Sequence, residues 1–280
     1  MFTASSILFV PGSRSDRITK AFPSAADVVC IDLEDAVAAA DKDTARSAVI
    51  DALARLDRRR AALRINSVMT RHGLKDLIAL TEAEVRPALL FVPMVESAAE
   101  ISQVARVLGD NAIGIIPLIE TVAGLRVAHD IARAPQVTAM MFGGGDFAAQ
   151  LGVDLAFDPL LVARGQFVMA CADARVPAID VPFVQLDDAD GLADECRKVR
   201  ALGFVAKAAI HPSQVEAINT GFGADDAAIS EAQSAIAAYE AAGCMAIRHN
   251  GKMLEAPIVA RMRAMLAKEG LASKGSMADA

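Results

Sequence analysis

The sequence has no tryptophan and one tyrosine, and aromatic residues make up only 4% of its 280 positions. Acidic residues outnumber basic ones, which gives a formal net charge of -7 at pH 7. A surface that binds nucleic acid combines a basic face with stacking aromatic rings. The composition therefore argues against a nucleic-acid partner.

Cysteine and histidine are also scarce, with four residues of each kind. The histidines form no HExxH pair, and the cysteines match no zinc, haem or CxxC spacing. We therefore expect no zinc site. The cysteines are expected to be small buried apolar residues or free thiols in a reducing compartment.

Long hydrophobic runs are absent too. Hydrophobic residues make up 54% of the chain, but no run approaches the roughly 20 residues that span a membrane. The N-terminal segment carries neither a basic stretch nor a long apolar core, so no signal peptide is expected. We expect a cytoplasmic protein without membrane contact, and the length suits one substantial core.

The sequence does contain short apolar runs of strand length, separated by helical patterns. These runs are continuous rather than alternating, which is typical of a parallel sheet buried on both faces. Strands are predicted at residues 7–10, 28–33, 62–65, 89–92, 113–118, 138–142, 178–181 and 205–210. Eight such repeats in this length predict an α/β fold, a (β/α)8 TIM barrel. An open doubly wound sheet or two small domains are the alternatives.

Helical patterns between these runs occupy residues 41–56, 98–108, 160–174 and 191–202. After Pro212 only helices are predicted, at 225–242 and 256–268, and the polar, glycine-bearing segment 243–257 suits a mobile loop or lid. The chain is predicted to have three parts. A catalytic barrel covers 1–222, a C-terminal helical lid and oligomerisation extension covers 223–270, and a disordered tail covers 271–280.

Two acidic residues lie at predicted strand ends within the segment 112–146. One strand is predicted to end at Glu120, an amphipathic helix follows, and the next strand is predicted to end at Asp146. Both carboxylates would then lie at the carboxyl edge of the sheet, where active sites gather. Hard oxygen ligands there predict a divalent cation site. The alternative is a pair of solvated loop-end acids.

Charged groups also follow the second and third predicted strands. The motif DLEDAV brings Asp32, Glu34 and Asp35 together, and an inward-facing carboxylate there needs a cation or hydrogen-bond donors. The motif LRIN presents Arg64 and Asn66 on one strand face. A guanidinium in that position could face a substrate carboxylate or carbonyl. A structural salt bridge from Arg64 to Glu34 is the alternative.

Two glycine-containing motifs follow the first and sixth predicted strands. In FVPGSRSDR, Gly12 permits a tight turn, and the bases could meet phosphate or be merely solvated; they are Arg14, Arg17 and Lys20. The motif FGGGDFA matches a dinucleotide fingerprint only loosely, because such a fingerprint opens the first βα unit. We therefore expect Gly144 and Gly145 to let the backbone approach a metal-bound ligand.

Taken in order, these motifs resemble the HpcH/HpaI aldolase and citrate lyase beta-subunit superfamily, in its CitE-like branch of CoA-ester lyases. The resemblance runs from about Ile7 to about Ala267. It is carried by FVPGSRSDR, DLEDAV, ADK, LRIN, IET, FGGGDFAAQLG, PAIDVPF, AIHPSQVEAIN and GKMLEAP. No single motif is decisive, but their number and order are specific.

The resemblance implies a modified TIM barrel whose C-terminal helices extend to a neighbouring subunit of a homotrimer or hexamer. It implies Mg²⁺, with Mn²⁺ as a substitute, bound by Glu120 and Asp146, and Arg64 as the enolate-stabilising arginine. The catalytic set is completed by the acidic motif, Glu34 and Asp35, and by the lid residue Glu255. Coenzyme A would contact the FVPG segment, which contains Pro11 and Gly12, and the bases that follow it.

Two positions depart from the family pattern. Relatives commonly have glutamate where this chain has Gly145, and aspartate in the lid motif where this chain has Glu255. The expected activity is reversible cleavage of a β-hydroxyacyl-CoA, of malyl, citramalyl or citryl type, into an acyl-CoA and a 2-oxo acid. The alternatives are a CoA-independent 2-keto-3-deoxy acid aldolase, an acyl-CoA thioesterase, and a non-catalytic subunit of a citrate lyase-type complex.

Overall fold

A closed barrel of eight parallel strands forms the larger of two compact units in the computed structural model, which describes residues 2–109, 113–224, 226–268 and 270–271. The first strand pairs with the eighth as well as with the second, so the predicted barrel is confirmed and the open sheet is wrong. The strands are Ser6–Pro11 (β1), Val28–Asp32 (β2), Ala61–Arg64 (β3), Leu89–Val92 (β4), Gly114–Ile119 (β5), Met140–Phe142 (β6), Ala178–Asp180 (β7) and Ala206–Ala209 (β8).

Helices follow the strands around the barrel. They are Ser15–Ala21 (α1), Lys42–Leu53 (α2), Arg71–Glu82 (α3), Ala98–Leu108 (α4), Val122–Arg126 (α5), Ala128–Ala132 (α6), Gly144–Leu151 (α7), Leu161–Ala174 (α8), Ala189–Leu202 (α9) and Val215–Phe222 (α10). The single helix predicted after Glu120 is wrong, because Val127, with φ -117° and ψ 15°, separates α5 from α6. None of the described helices is both long and apolar enough to cross a membrane.

Two apolar layers explain why the strands are hydrophobic throughout. Along β2, Cys30 belongs to the cluster inside the barrel, whereas Val29 and Ile31 belong to the cluster between the strands and the helices. Strand side chains alternate between the two faces, and here both faces are buried. The same alternation turns the next inward position, Asp32, toward the barrel axis at the carboxyl end.

A buried network of charges lies in the layer between the barrel and two of its helices. Lys207 on β8 donates to Asp180 on β7 at 2.5 Å and to Glu195 on α9 at 2.6 Å. Arg164 on α8 donates to the second oxygen of Asp180 at 2.9 Å. Burial favours the neutral form of Asp180, but Lys207 and Arg164 outweigh it and lower the pKa of this carboxyl. The four side chains thus fix α8 and α9 against the last two strands.

The smaller unit begins at Gly223. It contains the helices Asp226–Ala241 (α11) and Ala256–Lys268 (α12), with the strands Ile247–His249 (β9) and Lys252–Leu254 (β10) between them. The expectation of helices alone is therefore wrong, since β9 and β10 pair as an antiparallel hairpin. Its two-residue turn is Asn250–Gly251, with φ values of 46° and 79°, as type I′ turns require. The predicted tail lies outside the described residues, apart from Leu271.

Candidate active site

A cavity of about 440 Å³ opens at the carboxyl edge of the barrel strands. Its floor is apolar and includes Phe9, Leu118 and Met141. Four carboxylates and two guanidinium groups also line it, those of Asp32, Asp35, Glu120, Asp146, Arg17 and Arg64. Since acids outnumber bases two to one, the site has a surplus of negative charge that a bound cation would balance.

Arg64 is held at the cavity wall by a two-point ion pair. Its Nε donates to Oδ1 of Asp32 at 2.7 Å, and its Nη2 donates to Oδ2 at 2.6 Å. The two residues are register partners on β3 and β2. Asp32 is itself fixed, because it accepts the N–H groups of Glu34 at 2.9 Å and Ala36 at 3.1 Å. The guanidinium also stacks on Phe9, 5.4 Å from the ring centroid.

The remaining edge of Arg64 faces Glu34 and Asp35, in the acidic loop that follows β2. Its Nη1 lies 2.9 Å from Oε2 of Glu34 and 3.6 Å from Oδ2 of Asp35. Burial raises the pKa of Glu34 to about 8, although Arg64 opposes this shift. The predicted salt bridge to Glu34 is therefore present, but the stronger partner of Arg64 is Asp32. Only part of the guanidinium is left for a substrate.

Glu120 follows β5 and is 4% exposed. Its Oε2 accepts the N–H of Met94 at 2.6 Å. Burial raises its pKa to about 7, against the lowering effects of that N–H and of Arg64, and nearby Asp146 raises it further. The space for its side chain depends on Gly143, where an added Cβ would lie 2.1 Å from Cγ of Glu120.

Asp146 lines the cavity, but not from a strand end as predicted. Strand β6 stops at Phe142, and Asp146 lies in the first turn of α7. The helix starts close to neighbouring side chains, and Gly143 and Gly144 leave room there for Glu120 and Val181. The N–H groups of Gly144, Gly145 and Asp146 have no hydrogen-bond partner within the described parts of the chain. Such a helix start favours an anion.

These features fit Mg²⁺ at Glu120 and Asp146. The described residues contain no group of three or more metal-binding side chains, so the protein would supply two carboxylates. Mg²⁺ is commonly bound through one or two carboxylates, with water and substrate oxygens completing the shell. A cation would also offset the desolvation that now raises the pKa of Glu120.

Asn66 has a structural task at the back of the site. Its amide donates to the Leu33 carbonyl at 3.0 Å and to Asp76 at 2.7 Å, and its Oδ1 accepts from Lys42. Lys42 also donates to the carbonyl groups of Leu33 at 3.1 Å and Glu34 at 2.9 Å. Because these bonds use Asn66 fully and the residue does not line the cavity, the geometry gives no support to the predicted substrate contact.

The predicted CoA segment reaches the cavity in part. Pro11 and Arg17 line it. Gly12 is buried behind them, where its N–H donates to the Asp32 carbonyl at 2.8 Å and an added Cβ would lie 2.9 Å from that oxygen. Arg14 and Lys20 are exposed outside the lining, and Arg14 is paired with Asp16 at 3.0 Å.

Glu255 lies between β10 and α12 in the smaller unit. Its carbonyl accepts the N–H groups of Ile258 at 3.0 Å and Val259 at 3.1 Å, so it occupies the start of the final helix. The side chain is exposed. Its role in proton exchange stays a prediction.

Two residues of the site were missed from the sequence. Asp32 was noted only as one of three clustered acids, although its position two residues after the inward-facing Cys30 was a usable signal. Lys42 holds the acidic loop through the carbonyl groups of Leu33 and Glu34. It ends the motif ADK, but nothing in that motif indicated this contact.

A TIM barrel with acidic groups and an arginine at its carboxyl edge is the architecture of a barrel enzyme. Residues 5–212 match the family model described as HpcH/HpaI aldolase/citrate lyase. The chain belongs to this family, and it is therefore an enzyme of a carbon–carbon lyase family.

Its relatives carry more than one activity in their names. An L-malyl-CoA/beta-methylmalyl-CoA lyase of Cereibacter sphaeroides is 34% identical over 266 residues, which cover 84% of each chain. A (3S)-malyl-CoA thioesterase of the same species is 34% identical over 274 residues, 94% of this chain and 93% of the relative. The crystal structure of CitE from Mycobacterium tuberculosis in complex with magnesium, acetoacetate and coenzyme A is similar, with a TM-score of 0.83 and 32% identity. That match covers 95% of this chain and 98% of the other.

Proposed function

We propose that this protein is a Mg²⁺-dependent lyase that cleaves, or in reverse forms, the carbon–carbon bond of a β-hydroxyacyl-CoA of malyl, citramalyl or citryl type. The products of cleavage are an acyl-CoA and a 2-oxo acid. The observation that carries the proposal is that Arg64, fixed by Asp32, lines the same cavity as Glu120 and Asp146. The CitE structure that contains magnesium and coenzyme A supports it.

Glu120 and Asp146 would hold the cation. When bound, the cation supplies a Lewis acid for the hydroxyl and carboxylate oxygens of the substrate and for the 2-oxo acid that replaces them. The unpaired N–H groups at the start of α7 would receive the substrate carboxylate, since they lie beside Asp146 and favour an anion.

Arg64 would act on the other half of the substrate. Cleavage would transfer the hydroxyl proton to water and turn the hydroxyl oxygen into the carbonyl oxygen of the 2-oxo acid. The bond to the carbon next to the thioester breaks at the same time, and its electron pair remains on a thioester enolate. The N–H groups of Arg64 that its ion pairs leave over would stabilise that oxyanion, and the two hydrogen bonds to Asp32 keep the guanidinium in place before the reaction starts. Preorganisation of this kind avoids reorientation of the guanidinium as charge develops.

The enolate must then take up a proton to become the acyl-CoA. We assign this transfer to Glu255, whose exposed carboxylate occurs on the segment predicted to act as a lid. Glu34 and Asp35 would hold the Nη1 edge of Arg64, and Asp35 also lines the cavity that would receive the substrate.

A thioesterase is the second candidate, because a relative with that name is as similar as the lyase. Purified protein with Mg²⁺ should be given a panel of β-hydroxyacyl-CoA esters, and the 2-oxo acid and free thiol should be measured separately. A lyase releases 2-oxo acid without free thiol. Free thiol without 2-oxo acid would identify a thioesterase, and neither product would point to a binding subunit.

The same assay tests the cation. Glu120→Gln and Asp146→Asn should each weaken Mg²⁺ binding, measured by titration calorimetry, without loss of the fold. A chelator should abolish the wild-type activity, and added Mg²⁺ should restore it. Full activity in metal-free buffer would contradict the proposal.

A further inference from the structure

Of the three consecutive glycines at the start of α7, Gly143 and Gly144 are closely packed and Gly145 is not. An added Cβ at Gly143 would lie 2.1 Å from Cγ of Glu120. At Gly144 it would lie 3.0 Å from Cγ1 of Val181 and 3.2 Å from Cδ1 of Leu155. At Gly145 it would meet no heavy atom within 4 Å.

The backbone does not require glycine at position 145 either. Gly145 is absent from the residues with positive φ in the described chain, and it lies within a helix, where glycine is less favourable than alanine. Yet Gly145 lines the cavity, directly before Asp146. The missing side chain leaves empty space in the site itself.

We propose that Gly145 is a specificity-determining residue, which leaves room for an alkyl substituent on the hydroxyl-bearing carbon of the substrate. This inference rests on the proposed function, in which the hydroxyl and carboxylate groups of that carbon bind the cation beside Asp146. A substituent there becomes the side chain of the 2-oxo acid product. Hydrogen, methyl and ethyl correspond to glyoxylate, pyruvate and 2-oxobutanoate.

The neighbouring cavity wall favours an apolar substituent. Leu155 and Val181, which pack over Gly144, both line the cavity, and the wall continues through Pro182, Val184 and Ile210. The lining has two bases among the described residues, and Arg64 is already paired with Asp32 and Glu34. Among the described lining residues, Arg17 is thus the base that a second carboxylate, as in citryl-CoA, would have to use.

The test compares Gly145→Ala and Gly145→Val with Gly165→Ala. Gly165 is a matched control, because it lies in α8, has no atom within 4 Å of an added Cβ, and does not line the cavity. For each protein, kcat/KM is measured for malyl-, citramalyl- and citryl-CoA, which differ by hydrogen, methyl and carboxymethyl at the carbon in question. Calorimetry with Mg²⁺ gives the Kd values of glyoxylate, pyruvate and 2-oxobutanoate.

The wild type should favour citramalyl-CoA over citryl-CoA. In Gly145→Ala, the kcat/KM for citramalyl-CoA divided by the kcat/KM for malyl-CoA should fall by roughly 10-fold or more, the scale of one methyl group in a packed site. Gly145→Val should lower it further and should weaken the binding of 2-oxobutanoate most. Gly165→Ala should keep the wild-type ratio.

If this ratio stays constant in folded Gly145 variants, the inference is overturned although the proposed lyase activity stands. A wild type that prefers citryl-CoA would overturn it in the same way. Absence of 2-oxo acid from every ester would overturn the proposed function instead. The Kd series then still decides on Gly145, because equal Kd values in the wild type and in both variants would show that nothing bound occupies the space.

Discussion

At the scale of single residues, the ion pair between Arg64 and Asp32 determines how the site can work. An arginine bound only to substrate would have to be ordered during binding, whereas here two N–H groups are already committed to one carboxylate. The planar fork matters for this arrangement, since lysine carries the same charge without two-point geometry.

Arg64→Lys should therefore lower turnover by roughly 10²-fold or more, the effect of removing an oxyanion-stabilising donor. Steady-state cleavage of the best ester measures the effect, and circular dichroism confirms the fold. Arg197→Lys, at an exposed pair with Asp194, is the control and should behave as the wild type. A folded Arg64→Lys variant with normal turnover would reduce the fork to a structural salt bridge.

The sequence predicted Arg64, Glu120 and Asp146 as site residues because each follows or ends an apolar run at one edge of a parallel sheet. It could not predict that Asp32 rather than Glu34 accepts both hydrogen bonds from Arg64, since that choice depends on the register between β2 and β3. It also could not assign Asn66, whose amide is used by groups distant in sequence, such as Asp76.

At the scale of elements, all eight barrel strands were predictable, with ends displaced by two residues or fewer. A buried strand has a continuous apolar run that neither a loop nor an exposed helix would show. The hairpin of β9 and β10 was missed because its strands are only three residues each and half of their residues are charged or polar. The Asn250–Gly251 pair was the available signal.

That hairpin leads directly into Glu255, which gives the segment a test of its own. Glu255→Gln preserves the size of the side chain and removes its acid/base function, so turnover should fall by about 10² to 10⁴-fold. The free energy of unfolding should change by no more than about 1 kcal/mol, the value of a charge at a helix N-terminus. Both are measured on one preparation, by ester cleavage and urea unfolding.

Glu240→Gln is the control for that variant, since Glu240 lies in the same unit and makes an exposed pair with Arg263. It should leave turnover unchanged. If the lid acts across a subunit boundary, inactive Glu255→Gln and Asp146→Asn subunits should regain activity when they are mixed. Normal turnover in Glu255→Gln, with a slight loss of stability, would leave the residue as a helix-end charge.

At the scale of the whole molecule, stability depends on the buried network around Lys207. Lys207→Met would leave Asp180 and Glu195 buried with Arg164 as their remaining partner. Removing one member of a buried pair costs about 3–5 kcal/mol, which urea unfolding at neutral pH should show. Lys198→Met, at an exposed pair with Asp194, should leave the urea-unfolding curve close to that of the wild type.

The pH dependence of this loss has a definite sign. The pKa of Asp180 in the folded wild type lies below its ordinary value of 3.8. The pairing therefore stabilises the fold fully above that value and is lost as the pH falls through the lower, folded-state pKa. In Lys207→Met the folded-state pKa should rise, so acid unfolding should begin at a higher pH. Identical acid-unfolding curves for the variant and the wild type would contradict this account.

The same network constrains how the sequence can change over generations. Loss of any one of the four charges leaves the buried network with unequal numbers of acids and bases, which is costly until a second substitution restores the balance. Arg164, Asp180, Glu195 and Lys207 should therefore persist together or be replaced together among descendants of this chain. Exposed pairs, such as that of Arg133 with Asp173, are free to drift one residue at a time.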